Sequence, residues 1–357
     1  MIRLAGLRYL LSAEGGSSGS RARDVAIKAA RLYERDRWRY SVRRRLRSVD
    51  AIPLDRPIFF LGVQGAGETI VGRCLRRNRA VVSMSGNSDH WTGIDELGVV
   101  RNRMASLPSS LWGCKHRSDI AHPLFGFDHN SVYACDALLP LYRRRAEDAD
   151  EDEARRFRRL LREHVAVYAH DPWHARFLDK THTFTLKAPL LAAYLDGCDP
   201  HFGLVVRNPY SWCHRAVRRK PPSLRVPLSP DEQLRLVAEH WSNSYRIALE
   251  DAAEAGNVTV VRFEDFVADS EATIRRLCAS LDLEFDAAMV PRADQTLPFA
   301  TLPGDRKWYP LYPDAWLADV SDREAAIIER LCGPLAERFG YRRDGSRLGG
   351  SLLQGVA

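Results

Sequence analysis

The chain has 357 residues, 45% of them hydrophobic, and 53 Lys and Arg against 46 Asp and Glu give a net charge of +7. That length can bury one large α/β core or two smaller ones, and the composition is ordinary for a soluble globular protein. Seven scattered cysteines without any CxxC spacing favour reduced thiols over a disulfide framework, and the apolar start Met1–Leu11, broken by Arg3 and Arg8, is too short for a transmembrane helix, so the chain reads as cytoplasmic.

Residues 1–50 read as a basic helical extension, 51–345 as one α/β domain and 346–357 as a flexible tail. The charge is local: between Arg21 and Arg47 stand eleven basic residues and three acids, a net of +8, so the rest of the chain sums to −1. Val25, Ala29, Leu32 and Tyr33 share one face, continued by Trp38, Val42 and Leu46 at steps of four, which predicts an amphipathic helix. Such a helix suits an anionic membrane surface, making the protein peripheral to a membrane, or docks on its own domain with a solvated basic face. Nucleic acid is not an expected partner, because no aromatics are interleaved as a stacking platform needs.

The main domain opens on Ile58 to Leu75, IFFLGVQGAGETIVGRCL. Ile58–Leu61 predicts a buried strand, Gly62, Gly65 and Gly67 a turn, and Thr69, Ile70, Val71, Cys74 and Leu75 a helix packed back on the strand. Strand, glycine turn and helix suit an anion, because glycines let the backbone approach and the N–H groups at the helix start point at it. The spacing Gly62-x-x-x-x-Gly67-x-Thr69 has the frame of a Walker A loop, but Glu68 stands where lysine belongs, which breaks the nucleotide triphosphatase signature. A plain connecting turn is the alternative.

Ala80–Met84 predicts a second strand. The polar loop Ser85–Gly93 carries Asp89 and His90, each able to serve as a general base or to be an ordinary loop residue. Ile94–Met104 predicts a helix, and 106–135 is irregular with no metal-ligand spacing; Pro172 between His170 and His174 argues against a helical zinc pair. Asp148–His170 is a charged helix with an apolar stripe, Phe157, Leu160, Leu161 and Val165. Arg176–Thr181 is a strand whose polar end gathers Asp179, Lys180 and His182, and strand ends are where α/β sheets bind ligands. Helix Leu186–Leu195 and strand Phe202–Val206 lead to Arg207, Asn208 and Pro209, then to a helix carrying Arg215, Arg218 and Arg219. A guanidinium at a strand end is well placed to grip a phosphate. Asp231–Glu254, Ser270–Leu281 and Asp322–Phe339 predict helices and Val258–Arg262 a strand; Glu264 and Asp265 start helical structure, favoured by the helix dipole. The alternation predicts an α/β fold with a central parallel sheet flanked by helices.

FFLGVQGAGETIVGRCL, LDKT, FGLVVRNPYSWCHRAV and VTVVRFEDFVADSEATIRRLCASLDLEF occur here in the order seen in sulfotransferases, and the chain resembles that family from about Pro57 to Tyr309. The resemblance implies a P-loop NTPase-like sulfotransferase fold and 3′-phosphoadenosine 5′-phosphosulfate as sulfuryl donor, without metal. It implies a hydroxyl or amine of a carbohydrate or lipid-linked acceptor. Gly65, Ala66, Gly67, Glu68, Thr69 and Ile70 would hold the 5′-phosphosulfate. Arg207 would hold the 3′-phosphate, with Arg215 beside it in place of the family's serine. Arg306 and Lys307, in the GDRKW stretch, resemble the loop that covers the nucleotide. Asp89 resembles the glutamate base of glycan-modifying members, with His90 and His182 as alternatives, and Lys180 resembles the lysine near the transferred group. The loop departs from the family's basic-Ser-Gly-Thr-Thr: Gly65 replaces the basic residue and Ala66 the serine. Lys180 is the first candidate for a replacement cation. A P-loop kinase and a non-catalytic nucleotide-binding or interaction module stay open beside the transferase.

Overall fold

The computed structural model describes residues 39–89, 95–100, 106–113, 120–129, 131–219, 221–222, 224–255, 257–292, 296–297, 306–307 and 319–346. Five strands form one sheet: β1 (Ile58–Leu61), β2 (Val81–Ser83), β3 (Arg176–Asp179), β4 (His201–Val206) and β5 (Asn257–Arg262). Their order is β2-β3-β1-β4-β5, and every pairing is parallel. The strands are short apolar runs because both faces are covered, as parallel sheets require. Side chains alternate between faces with the period of two of a pleated strand. Phe59 and Leu61 face one core, with Phe177, Phe202 and Leu204, while Ile58 and Phe60 face the other, with Leu178, Val205 and Val261.

The helices are α1 (Glu68–Leu75), α2 (Glu151–Tyr168), α3 (Ala188–Tyr194), α4 (Pro209–Arg219), α5 (Pro230–Ala255), α6 (Phe263–Ala268), α7 (Ser270–Leu281) and α8 (Asp322–Arg338). The stripe read on α2 is buried at Phe157, Leu160, Leu161 and Val165, and Asp150 caps the helix by accepting from Glu153 N. Val71, Leu75, Ile274, Leu277 and Leu281 of α1 and α7 cover the second face. Of the predicted Ile94–Met104 helix, Leu97–Val100 is helical, and 94 and 101–105 lie outside the described residues. Of the basic extension, Val42–Leu46 is helical and rests on α2 through the Arg44–Glu163 pair and Arg47 Nη1 donating to Ala166 O. Tyr40, Val42 and Leu46 are exposed there. Among the described residues no helix is long and apolar enough to cross a membrane, and no group of three or more His, Cys, Asp or Glu side chains could hold a metal ion.

Two histidines enter this core neutral. His201 Nε2 and Thr259 Oγ1 share a hydrogen bond at 2.8 Å between β4 and β5, and burial, with Arg176 adding to it, pushes the imidazole down to about 4. Burial pushes His240 of α5 down to about 3, helped by His182. An unfolded chain takes up a proton on each near pH 6.5, so this stability is present above pH 6.5 and lost as pH falls through about 4. We expect the unfolding free energy in urea to drop across that window. His201→Gln should make the drop shallower by about 3 kcal/mol, as an order of magnitude. An unchanged slope would mean that His201 is protonated in the fold.

Candidate functional site

β1 is flanked by β3 and β4, so the chain reverses its order of winding there and the carboxyl ends of these strands frame a crevice. The glycine loop leaves β1 into that crevice. Thr185 ties its start: Gly62 N donates to Thr185 Oγ1 at 2.8 Å and the hydroxyl donates back to Gly62 O at 3.0 Å. Ala66 N donates to Val63 O, which closes the turn. The N–H groups of Gly65, Gly67, Glu68 and Thr69 find no acceptor among the described residues. Such a run of donors at the start of α1 is an anion cradle. Gly67 has φ +122° and its Cα lies so close to the Phe263 ring that a Cβ would overlap it. Ala66 is buried, whereas Thr69 and Ile70 are half-buried, Ile70 against the second core.

Two arginines close on the loop. Arg207 follows β4, is nearly buried, lies over the Phe263 ring at 5.0 Å and donates through Nη1 to Gly65 O at 3.3 Å. Its backbone is fixed from behind: Trp241 Nε1 donates to Arg207 O at 3.0 Å, and Glu264 Oε1 accepts from Asn208 N at 2.9 Å while Oε2 accepts from Tyr341 OH at 2.6 Å. Arg215 of α4 donates through Nη2 to the same Gly65 carbonyl at 2.8 Å. Burial and the neighbouring Arg207 and Arg219 push its guanidinium down to about 10. Gln64, Ser131, Trp212, Arg215, Ala216 and Arg219 line a cavity of about 170 Å³ beside the loop.

Across the crevice, near the end of β3, the buried carboxylates among the described residues each accept a hydrogen bond, with one exception. Lys180 Nζ donates to Glu96 Oε1, and both side chains are buried. Asp179 accepts from Leu97 N and Thr181 N, each at 2.7 Å, while burial pushes its carboxyl up to about 7. Arg76 Nη1 meets Asp95 Oδ1 at 3.1 Å, and Ser83 and Ser85 donate to the same oxygen. The exception is Glu68, whose buried Oε1 has no hydrogen-bond partner and lies 3.5 Å from His182 Nδ1, which is also unpartnered. His182 Nε2 is 4.0 Å from Glu96 Oε1. Glu96, Gly98, Tyr133, Thr181, His182 and Thr183 are among the residues around a cavity of about 10 Å³, room for about one water.

The structure therefore brings the loop, Arg207 and Arg215 together, sets His182 beside them at Glu68, and leaves Lys180 one step further off, paired with Glu96. It does not bring Asp89 to this cluster. Asp89 is exposed and faces His170 Nε2 at 3.4 Å, because Asn87 Nδ2 donates to Tyr168 O and holds that turn on the end of α2. His90 lies outside the described residues. Arg306 and Lys307 form a two-residue strand paired antiparallel with Thr296–Leu297, and their side chains lie outside what is described. Two residues of the site were missed in the sequence. Glu96 stands in no motif. Glu264 reads as a first-turn acid, whereas it bonds the backbone after Arg207.

The chain matches the family model described as "Sulfotransferase family" over residues 57–287. The sulfotransferase STF9 from Mycobacterium avium superposes with a TM-score of 0.52 at 12% identity, covering 96% of this chain and 91% of that one. The sulfotransferase domain from the curacin biosynthetic pathway gives 0.45 at 14%, covering 81% and 99%. That of the Synechococcus PCC 7002 olefin synthase gives 0.42 at 15%, covering 79% and 96%. At such identities the likeness to STF9 is one of fold. No curated protein matches the chain in sequence.

Proposed function

Because this chain belongs to the sulfotransferase family, we propose that it moves a sulfuryl group from 3′-phosphoadenosine 5′-phosphosulfate to a hydroxyl or amine of a carbohydrate or lipid-linked acceptor. The observation that carries the reading is the convergence of the unoccupied loop amides with Arg207 and Arg215, a set of donors fitted to a multiply charged phosphate ligand. The donor, when bound, supplies an activated sulfuryl group with a phosphate as its leaving group. The amides of Gly67, Glu68 and Thr69 hold the 5′ side and stabilise negative charge there, and Arg207 holds the 3′-phosphate. His182 takes the acceptor's proton at Nε2, with the Glu68 carboxylate 3.5 Å from Nδ1 and within reach of that nitrogen once the ring is charged, an arrangement that this site supports better than a proton transfer to the outlying Asp89.

Calorimetric titration with adenosine 3′,5′-bisphosphate, against ADP and ATP, tests the reading. Wild type should bind the bisphosphate in preference. Arg207→Ala should weaken it about 10- to 100-fold, the loss of a hydrogen bond to a charged group. His182→Asn should keep this binding while losing transfer. Preference for ATP would favour a P-loop kinase. Bisphosphate binding with no transfer to any acceptor would favour a binding module, the second reading that the buried carboxylate of Glu68 beside the loop supports.

A further inference from the structure

The loop that would seat the 5′ end of the donor has backbone donors but no basic side chain, since positions 65–69 read Gly-Ala-Gly-Glu-Thr. Lys180, the cation expected to stand in, is engaged with Glu96. A different cation occupies the loop's rim. A Cβ built on Gly65 would lie 2.8 Å from Arg215 Nη2, so the guanidinium fills the space into which a side chain at position 65 would project. Gly65 itself is exposed, with φ +89°, a conformation that favours glycine.

The surroundings of Arg215 indicate a ligand. Its one hydrogen-bond partner among the described residues is the Gly65 carbonyl, and no carboxylate is bonded to it. Burial first, and then Arg207 and Arg219, disfavour its charge, with the Glu68 carboxylate acting against them. Arg207 lies over the Phe263 ring, where Gly67 makes its close approach, and reaches the Gly65 carbonyl at 3.3 Å. Beside Arg215, Trp212 donates to Gln64 O. The two guanidinium groups therefore meet at one loop carbonyl, and of the two it is Arg215 that fills the space beside Gly65; one ligand phosphate on each would relieve the crowding of like charge.

We propose that Arg215 is the loop's own cation, delivered from α4, and that it binds the phosphate or sulfuryl group seated on the glycine loop, the 5′ end of the donor, and not the 3′-phosphate. This rests on the donor reading above. Without ligand its Nη2 is parked on the Gly65 carbonyl, and it exchanges that neutral acceptor for the anion on binding.

The test is calorimetry on the full chain with adenosine 3′,5′-bisphosphate, with the 5′- and 3′-monophosphates measured by displacement of the bisphosphate. Arg215→Ala should weaken the bisphosphate and the 5′-monophosphate about 10- to 100-fold and change the 3′-monophosphate less than about threefold. Arg207→Ala should weaken the bisphosphate and the 3′-monophosphate and spare the 5′-monophosphate. Arg215→Lys, which keeps the charge but loses the fork, should recover part of the loss and carries the comparison if the alanine variant is misfolded. A selective loss of 3′-monophosphate binding in the Arg215 variants, or an equal loss of both, would overturn the assignment. Failure of wild type to bind the bisphosphate would overturn the donor reading itself.

Discussion

Gly67→Ala is expected to lower stability on the order of 3–5 kcal/mol and to abolish the anion cradle. Two costs combine. A residue with a Cβ held at φ +122° is strained by about 1–3 kcal/mol. The new methyl also overlaps the Phe263 ring, a tightly packed side chain of the second core, and overpacking of that kind costs about 1–3 kcal/mol or more. The check is thermal unfolding, with a fall in midpoint of roughly 5–15 °C. Adding Phe263→Ala should remove the overlap but leave the backbone strain, so the double variant should lose less than the two single changes summed. A midpoint within a degree of wild type would show that the loop has other conformations at little cost.

Lys180→Met is the second large effect. Lys180 and Glu96 are 4% and 6% exposed, so removal of the ammonium leaves a carboxylate buried without its counter-charge. Breaking such a pair costs about 3–5 kcal/mol, whereas removing both charges is often neutral. The midpoint of urea unfolding should therefore fall in Lys180→Met and largely recover when Glu96→Gln is added. A cost below about 1 kcal/mol would place the pair in the weak class of solvated surface bridges. The recovered double variant also separates structural from chemical use of the lysine, because any defect in transfer that persists in it is not one of folding.

Much of the fold was legible. Ile58–Leu61 and Phe202–Val206 are apolar runs too short for helices and bounded by turn residues, and the stripe on α2 has a helical period. The glycine loop was legible because its backbone conformation requires glycine and little else supplies it. What pattern could not reach was the partner of each charge. Asp89 reads as a cleft residue from its polar loop, yet the turn is pinned to α2 by Asn87 and Tyr168, a contact between segments some eighty residues apart. Glu264 reads in sequence as a helix-dipole acid, a local property, whereas its carboxylate bridges Asn208 N and the hydroxyl of Tyr341 from two distant segments. The reach of Arg215 to Gly65 spans 150 residues. Side-chain chemistry and spacing determine elements; the tertiary path of the chain decides which charges meet.

The strand order also governs how the chain must come together. Ile58 pairs with Leu178 on one side and with His201 on the other, so β1 has neither neighbour until more than a hundred further residues exist. Pairings of such sequence separation form slowly, because the entropy of closing long loops is lost before any ladder compensates it. During synthesis the glycine loop emerges early and is completed late, when β3, β4 and the Thr185 hydroxyl arrive to hold it. Until then Ile58–Leu61 is an apolar edge without a partner, a segment in need of shelter from other chains.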